Sequence, residues 1–139
     1  MCIRDSSKPW RLDHLGMSFA AVTADFDLDG DPDLAVVNMD EPVSVYRNEV
    51  NTGARVSIEL VGTKSNRRGV GARLEAKVGD TWQQRWMRAL SGFKSGDEPV
   101  AHFGLGKARE VERLVIHWPS GTRQELRGLE AGKLSLIHI

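Results

Sequence analysis

The stretch Asp25-Phe26-Asp27-Leu28-Asp29-Gly30-Asp31-Pro32-Asp33 places five carboxylates on alternate residues, with a glycine just past the middle. Unpaired anions at this density repel one another and disfavour a compact loop. A hard cation with oxygen ligands removes that cost, and carboxylates at odd-numbered positions allow a tight loop to wrap Ca²⁺. The alternative is a solvated acidic turn between two strands. The spacing favours the calcium loop.

The same spacing predicts which oxygens the loop would offer. Gly30 permits the sharp turn, and the main-chain carbonyl of Asp31 is expected at the seventh position. The predicted side-chain ligands are Asp25, Asp27, Asp29 and Asp33. A helical EF-hand would need a bidentate glutamate at the twelfth position, which here is Val36 inside an apolar run, so that geometry is excluded. Mg²⁺ fits less well because it keeps several waters in a strict octahedron.

Composition describes a globular chain with uneven charge. Of its 139 residues, 27% are charged and 40% are apolar, and its only cysteine, Cys2, cannot form an internal disulfide. No apolar run approaches the ~20 residues of a membrane helix. Residues 1–50 carry ten acidic and four basic side chains, a net charge of −6, so the remainder carries +6. This asymmetry indicates two units with different electrostatics.

Alternation of apolar and polar residues predicts an all-β fold with no amphipathic helix. Residues 17–50 are expected to form three short strands, with the acidic loop connecting the first two. After a turn signal at residues 51–53, residues 54–133 are expected to form about six strands of a small antiparallel sandwich or partly closed barrel.

Both ends of the chain are unusual for a natural protein. The segments Met1–Ser6 and Leu134–Ile139 resemble translated sequencing-adapter sequence, so the native chain is expected to extend further in both directions. Residues 1–16 are therefore expected to be non-native or disordered, and residues 134–139 to be a non-native tail.

Three further motifs favour structural roles. Residues 65–71 predict a polar turn with glycine at positive φ rather than a phosphate loop, and leave Arg67 and Arg68 as contacts for an acidic partner. His102 is expected at a strand end and His117 on a polar strand face, with no metal-ligand spacing between them. The tryptophans of alternating runs are expected in the core, the alternative being a sugar-stacking platform, and they are Trp82, Trp86 and Trp118.

Two families share these motifs. The core Asp-x-Asp-x-Asp-Gly-x-x-Asp-Leu within residues 17–50 resembles an FG-GAP or VCBS repeat, the blade unit of a β-propeller, in which the aspartate loop binds calcium. Residues 54–133 resemble the ASPIC/UnbV domain that follows such repeats, through residues 60–72, His102-Phe103-Gly104-Leu105-Gly106 and Val115-Ile116-His117-Trp118-Pro119-Ser120-Gly121. The resemblance implies one partial blade joined to a small antiparallel β-sandwich or barrel.

The sequence thus predicts a calcium-binding, non-catalytic interaction or adhesion module of an exported protein, located extracellularly, at the cell surface or in the periplasm. Its expected partners are the remaining propeller blades and a protein or glycan, with no nucleic acid and no membrane span. Two alternatives stay open: an accessory domain of a secondary-metabolite biosynthetic enzyme, and a carbohydrate-binding module. No catalytic or cofactor-binding residues are predicted.

Overall fold

A computed structural model describes residues 7–50, 52–64 and 66–139, so Cys2 and the segment Met1–Ser6 lie outside the described residues. The described part consists of β-strands without a helix, which confirms the all-β prediction, and it therefore contains no helix long and apolar enough to cross a bilayer. The strands are β1 Ser18–Ala24, β2 Asp33–Asn38, β3 Ser44–Tyr46, β4 Ala54–Val61, β5 Arg73–Val78, β6 Thr81–Trp86, β7 Val100–Gly106, β8 Glu110–His117, β9 Arg123–Glu130 and β10 Leu134–His138.

The first three strands form an antiparallel sheet in the order β1-β2-β3. The acidic loop connects β1 to β2, and the register places Ala24 opposite Asp33 where the loop begins and ends. The predicted hairpin is therefore present, and β1 and β2 hold the two ends of the loop side by side.

The remaining strands form two open sheets, ordered β10-β4-β7 and β6-β5-β8-β9, and neither closes into a barrel. All neighbours are antiparallel except β10 and β4, which run parallel. The parallel pair departs from the predicted all-antiparallel arrangement. Strand β9 lies at the edge of its sheet, as its polar sequence predicts.

The apolar core lies between these two sheets. Alternate residues of β4 and β7 face alternate residues of β5 and β8, and the largest side chain among them, Phe103, has 0% exposure. The buried core residues are Val56, Ile58, Leu60, Ala72, Leu74, Ala76, Met87, Ala101, Phe103, Leu105, Val111, Leu114, Ile116, Trp118 and Ile137. None of them precedes residue 52, so the first sheet contributes nothing to this core.

The segment after residue 133 is paired rather than loose. Leu134–His138 forms β10 against β4, and Ile137 packs into the core with 4% exposure. At the other end, residues 7–11 form a turn in which the Leu12 amide donates to the Ser7 carbonyl at 2.8 Å. The native or non-native origin of both segments stays a prediction.

Two tryptophans occupy positions that differ from those predicted. Trp118 is buried, but Trp82 and Trp86 are about half exposed on the outer face of the edge strand β6, because the register pairs them with the polar residues Lys77 and Arg73. The core prediction is therefore wrong for Trp82 and Trp86. The opposite face of β6 carries Gln83 and Arg85, whose side chains donate hydrogen bonds to the carbonyls of Gly104 and His102 on β7.

The prediction for His102 is wrong, whereas the predictions for His117 and for the glycine turn are confirmed. His102 lies inside β7 rather than at its end, opposite Ser57 of β4, whereas His117 lies on the polar face as predicted. The turn at 66–71 has glycines at positive φ, as expected. At Gly69 a side chain would also meet Leu60 at 2.8 Å, so glycine is required there for space as well.

Removing residues 1–50 should leave a cooperatively folded domain, because every residue of the buried core lies beyond residue 52. Urea unfolding of the 51–139 fragment, followed by far-ultraviolet circular dichroism and tryptophan fluorescence, should give one sigmoidal transition with coincident midpoints. The complementary 1–50 fragment, which contributes no residue to this core, should show no such transition. A gradual, non-cooperative loss of signal from the 51–139 fragment would contradict the expectation.

Candidate metal centre

The acidic loop folds around its own carboxylates. The Asp25 carboxylate accepts hydrogen bonds from the amides of Asp29 at 3.1 Å and Gly30 at 2.9 Å, and the Asp29 carboxylate accepts one from the Asp31 amide at 3.0 Å. Leu28 and Gly30 have positive φ values of 62° and 93°, which bend the chain tightly enough for these contacts. Local hydrogen bonds therefore define the loop conformation.

This conformation brings three carboxylates together. One oxygen each from Asp25, Asp27 and Asp29 lies within 4.8 Å of the others. Asp25 is half-buried, and Asp27 and Asp29 are exposed. A compact group of hard anionic oxygens, half open to solvent, is the donor set that a divalent cation such as Ca²⁺ prefers. The site can hold a metal ion.

Asp31 is not a member of this group, and its carboxylate forms an ion pair with Arg55 of β4. The Arg55 guanidinium lies 2.9 Å from an Asp31 carboxylate oxygen, and it donates a hydrogen bond to the Asp29 carbonyl at 2.6 Å. Asp31 is 4% exposed; desolvation raises the pKa of its carboxyl, and the charge of Arg55 opposes that rise. Arg55 thus fixes the loop against the second sheet.

The Asp33 side chain connects two segments of the first sheet through hydrogen bonds. Its carboxylate, 3% exposed, accepts hydrogen bonds from the Phe26 amide at 3.0 Å and from the Asn48 amide at 2.7 Å. It thereby ties the start of the loop to the chain that follows β3. The side chains of Asp31 and Asp33 lie outside the three-carboxylate group, and the full five-residue ligand set stays a prediction.

A segment before β7 anchors the end of β1 and the start of the loop. The Asp97 carboxylate accepts hydrogen bonds from the amide and the hydroxyl of Thr23, at 2.8 and 2.9 Å, and the Glu98 amide donates to the Thr23 carbonyl at 3.1 Å. Burial raises the pKa of Asp97, but these hydrogen bonds and one from the Ser91 hydroxyl outweigh it and lower the pKa. The Glu98 carboxylate accepts a further bond from the Asp25 amide at 3.2 Å.

A cavity of about 300 Å³ lies between the loop and the second sheet. In its wall, one His102 ring nitrogen lies 2.6 Å from a Glu98 carboxylate oxygen and the other lies 3.0 Å from the Ser57 hydroxyl. Sequence reasoning missed this series, since Ser57 is 45 residues from His102 and no spacing signal joins them. Only the register of β4 against β7 makes them neighbours.

The fold and the site together define the class: an all-β protein in which an aspartate loop capable of holding a metal is fixed against a two-sheet domain. Residues 62–138 match the family described as ASPIC and UnbV, and the chain belongs to that family. The domain named by the earlier resemblance is thereby confirmed.

A curated relative extends the comparison beyond this domain. The chain is 31% identical over 128 residues to cartilage acidic protein 1 of Homo sapiens, with 88% of the chain aligned. An alignment of that extent includes the acidic loop. The chain spans about a fifth of the relative's length, since the aligned part is 19% of it. The family match begins at residue 62, after the loop, so it does not extend to residues 17–50.

Arg55→Met should lower the free energy of unfolding by about 1–3 kcal/mol, because it leaves the buried Asp31 carboxylate without its cation. Adding Asp31→Asn to Arg55→Met should recover part of that loss, since the amide carries no charge to desolvate. Urea titrations of the two single variants and the double variant give the coupling.

The matched control is Arg67→Met, an exposed arginine that should change the stability by no more than about 0.5 kcal/mol. Strictly additive effects of Arg55→Met and Asp31→Asn would show that the two side chains do not interact.

Proposed function

We propose that this chain is a calcium-binding, non-catalytic interaction module, in which Ca²⁺ occupies the acidic loop and acts structurally. The observation that carries the proposal is the convergence of the Asp25, Asp27 and Asp29 carboxylates within 4.8 Å of one another. Such a group is stable when a cation lies between its members and is self-repelling when none does.

The charges around the loop support a bound cation. Five carboxylates lie between residues 25 and 33, and two arginines contact them: Arg55 at Asp31 and, at 3.5 Å, at Asp29, and Arg47 at Asp27 with a distance of 3.2 Å. The two arginines leave a net charge of −3. Arg47 is 60% exposed, so solvent screens its attraction to Asp27. A divalent ion in the loop would neutralise more of the negative charge than this surface ion pair does.

Calcium is proposed rather than magnesium because of the shape of the donor set. The loop offers carboxylates and main-chain carbonyls from a short irregular segment, which suits the flexible coordination of six to eight oxygens around Ca²⁺. Our proposed ligands are the side chains of Asp25, Asp27, Asp29 and Asp33 and the main-chain carbonyl of Asp31.

Residues 17–50 are proposed to be one FG-GAP or VCBS-like blade of a larger β-propeller. The three-stranded sheet carries exposed apolar side chains, among them Phe19 at 45% and Val45 at 64%, which neighbouring blades would cover. The length of the relative leaves room for such blades. The parent protein is proposed to be exported, with its module facing the extracellular space, the cell surface or the periplasm.

Calorimetric titration with Ca²⁺ should show saturable binding to the whole chain, and Asp27→Asn and Asp29→Asn should each weaken it at least about tenfold by removing a charged ligand. Both side chains are exposed, so the substitutions should leave the fold intact. A hundredfold excess of Ca²⁺ over its Kd should stabilise the chain by about 2.7 kcal/mol.

Asp80→Asn serves as the control, because it removes the same charge at a residue in the turn between β5 and β6, away from the acidic loop. Equal affinities for Ca²⁺ and Mg²⁺ would contradict the choice of ion. The absence of binding at millimolar Ca²⁺, or equal weakening by Asp80→Asn, would refute the metal site itself.

A second candidate function, an accessory enzyme domain, is favoured by the cavity that Ser57, His102 and Glu98 line. The geometry gives this series a structural use: Glu98 also accepts the Asp25 amide, and the Ser57 amide donates to the Lys133 carbonyl at 3.3 Å. The three side chains therefore join the start of the acidic loop to β4 and β7, and the non-catalytic proposal is preferred.

Comparing the wild type with Ser57→Ala in an ester-hydrolysis assay separates the two candidates. The non-catalytic proposal expects equal, buffer-level rates from both proteins. A measurable wild-type rate that falls about a hundredfold or more in Ser57→Ala, with unchanged circular dichroism, would support the enzyme instead.

A further inference from the structure

The outer face of the sheet β6-β5-β8-β9 is a polar surface with a regular layout. The core lies beneath its inner side, whereas the acidic loop packs, through Arg55, on the outer side of the other sheet. The loop and the outer face of β6-β5-β8-β9 are therefore on opposite sides of the domain. We call this surface the far face.

Two tryptophans mark one edge of the far face. Trp82 and Trp86 are 50% and 49% exposed, and they lie four residues apart on the same side of β6, a separation of about 13 Å along the strand. Each has a guanidinium near its ring: Arg113 is 6.0 Å from the Trp82 centroid and Arg73 is 6.0 Å from the Trp86 centroid. The cations help to hold the rings in place.

Basic side chains exceed acidic ones in the part of the far face that lies level with the two tryptophans. The cross-strand registers align five cations there, Arg73, Lys77, Arg113, Arg123 and Arg127. Three carboxylates accompany them in the rows level with the two tryptophans, Glu75, Glu112 and Glu125, which leaves a net charge of +2 there, and the pair Glu110 and Glu130 lies beyond these rows at the end of the sheet. Glu125 is shared by three arginines, and hydrogen bonds from Arg113 and Arg127 lower its pKa to about 2, so it remains ionised.

Between the two tryptophans lies a row that both donates and accepts hydrogen bonds. Gln84 separates the two rings on β6, its cross-strand partner is Glu75, and His117 lies 3.1 Å from the Glu75 carboxylate. Sugar hydroxyl groups, which donate and accept, match such a row. A phosphate group offers acceptors only, whereas sugar hydroxyls can also donate hydrogen bonds to the Glu75 carboxylate.

We propose that the far face binds a polysaccharide that carries carboxylate or sulfate groups. The apolar faces of sugar rings stack on Trp82 and Trp86, their hydroxyls pair with Gln84 and Glu75, and their anionic groups meet the excess of cations. The inference goes beyond the metal-binding function and does not depend on it, because the far face and the acidic loop lie on opposite sides of the domain.

Affinity electrophoresis and fluorescence titration of the whole chain test the proposal. The probes are polygalacturonate for carboxylates, heparin for sulfates, dextran as a neutral glycan and oligo(dT) as a nucleic acid. We expect saturable binding to at least one acidic polysaccharide, with quenching of tryptophan emission, weakening in high salt and no change in EDTA. Tighter binding of polygalacturonate or of heparin shows whether the far face prefers carboxylate or sulfate groups.

Trp82→Ala and Trp86→Ala should each weaken that binding about tenfold, as expected for the loss of one stacking ring. Trp10→Ala is the matched control, since Trp10 is 68% exposed and lies in the turn at 7–11; it should leave binding within twofold. Trp82→Phe keeps a stacking ring and should restore most of the affinity, which separates stacking from misfolding. Arg127→Gln, at a 75% exposed side chain, should weaken binding and its salt dependence.

Four outcomes would overturn the proposal: no saturable binding to either acidic polysaccharide, equal weakening by Trp10→Ala, tighter binding of oligo(dT) or dextran, or loss of binding in EDTA. The last would place the ligand at the acidic loop. A calcium site that fails its own titration leaves the expectation for the far face unchanged, so the two failures are distinguishable.

Discussion

Repulsion among the loop carboxylates is the constraint on which the rest of the arrangement depends. Five aspartates within nine residues fold compactly because each has a partner: amides for Asp25 and Asp33, the Arg55 guanidinium for Asp31 and Asp29, and Arg47 for Asp27. These partners come from the loop itself, from the end of β3 and the chain after it, and from β4. The loop therefore acts as the point at which the small first sheet is fixed to the larger domain.

That larger domain supplies the rigidity. Its core is enclosed by two sheets and is complete without the first sheet, so the segments that contact the loop, Arg55 on β4 and the 97–98 segment before β7, are held by a structure that does not depend on the loop. The two outer faces of the domain then differ in character. One receives the acidic loop and its cavity, and the other carries the tryptophans and the excess of arginines. This separation allows one small domain to serve two chemically different contacts.

Local sequence patterns predicted the strands well. The features that they did not predict, which are the exposed face of β6 and the contacts between distant residues, depend on the pairing of strands far apart in the sequence. Apolar runs on either side of the acidic loop identified β1 and β2, so that the loop was expected to be the turn of a hairpin, and strict alternation identified β4 and β5. Alternation alone does not say which face of a strand is buried, and for the edge strand β6 the tryptophan face is the exposed one. Similarly, Ser57 and His102 become neighbours only through the pairing of β4 with β7, and Arg55 reaches Asp31 only in three dimensions. Neither relation has a signature in one sequence.

Strand β4 has a property that follows from its two faces. Its even-numbered residues, Val56, Ile58 and Leu60, enter the core, and its odd-numbered residues Arg55 and Ser57 face the loop and the cavity. A slip of one residue in the pairing of β4 would exchange these sets, burying a guanidinium in the core and presenting valine to the aspartates. A misregistered β4 is therefore destabilised on both of its faces, in the core and at the acidic loop. The acidic loop thus favours the correct register of β4, in addition to any role as a metal site.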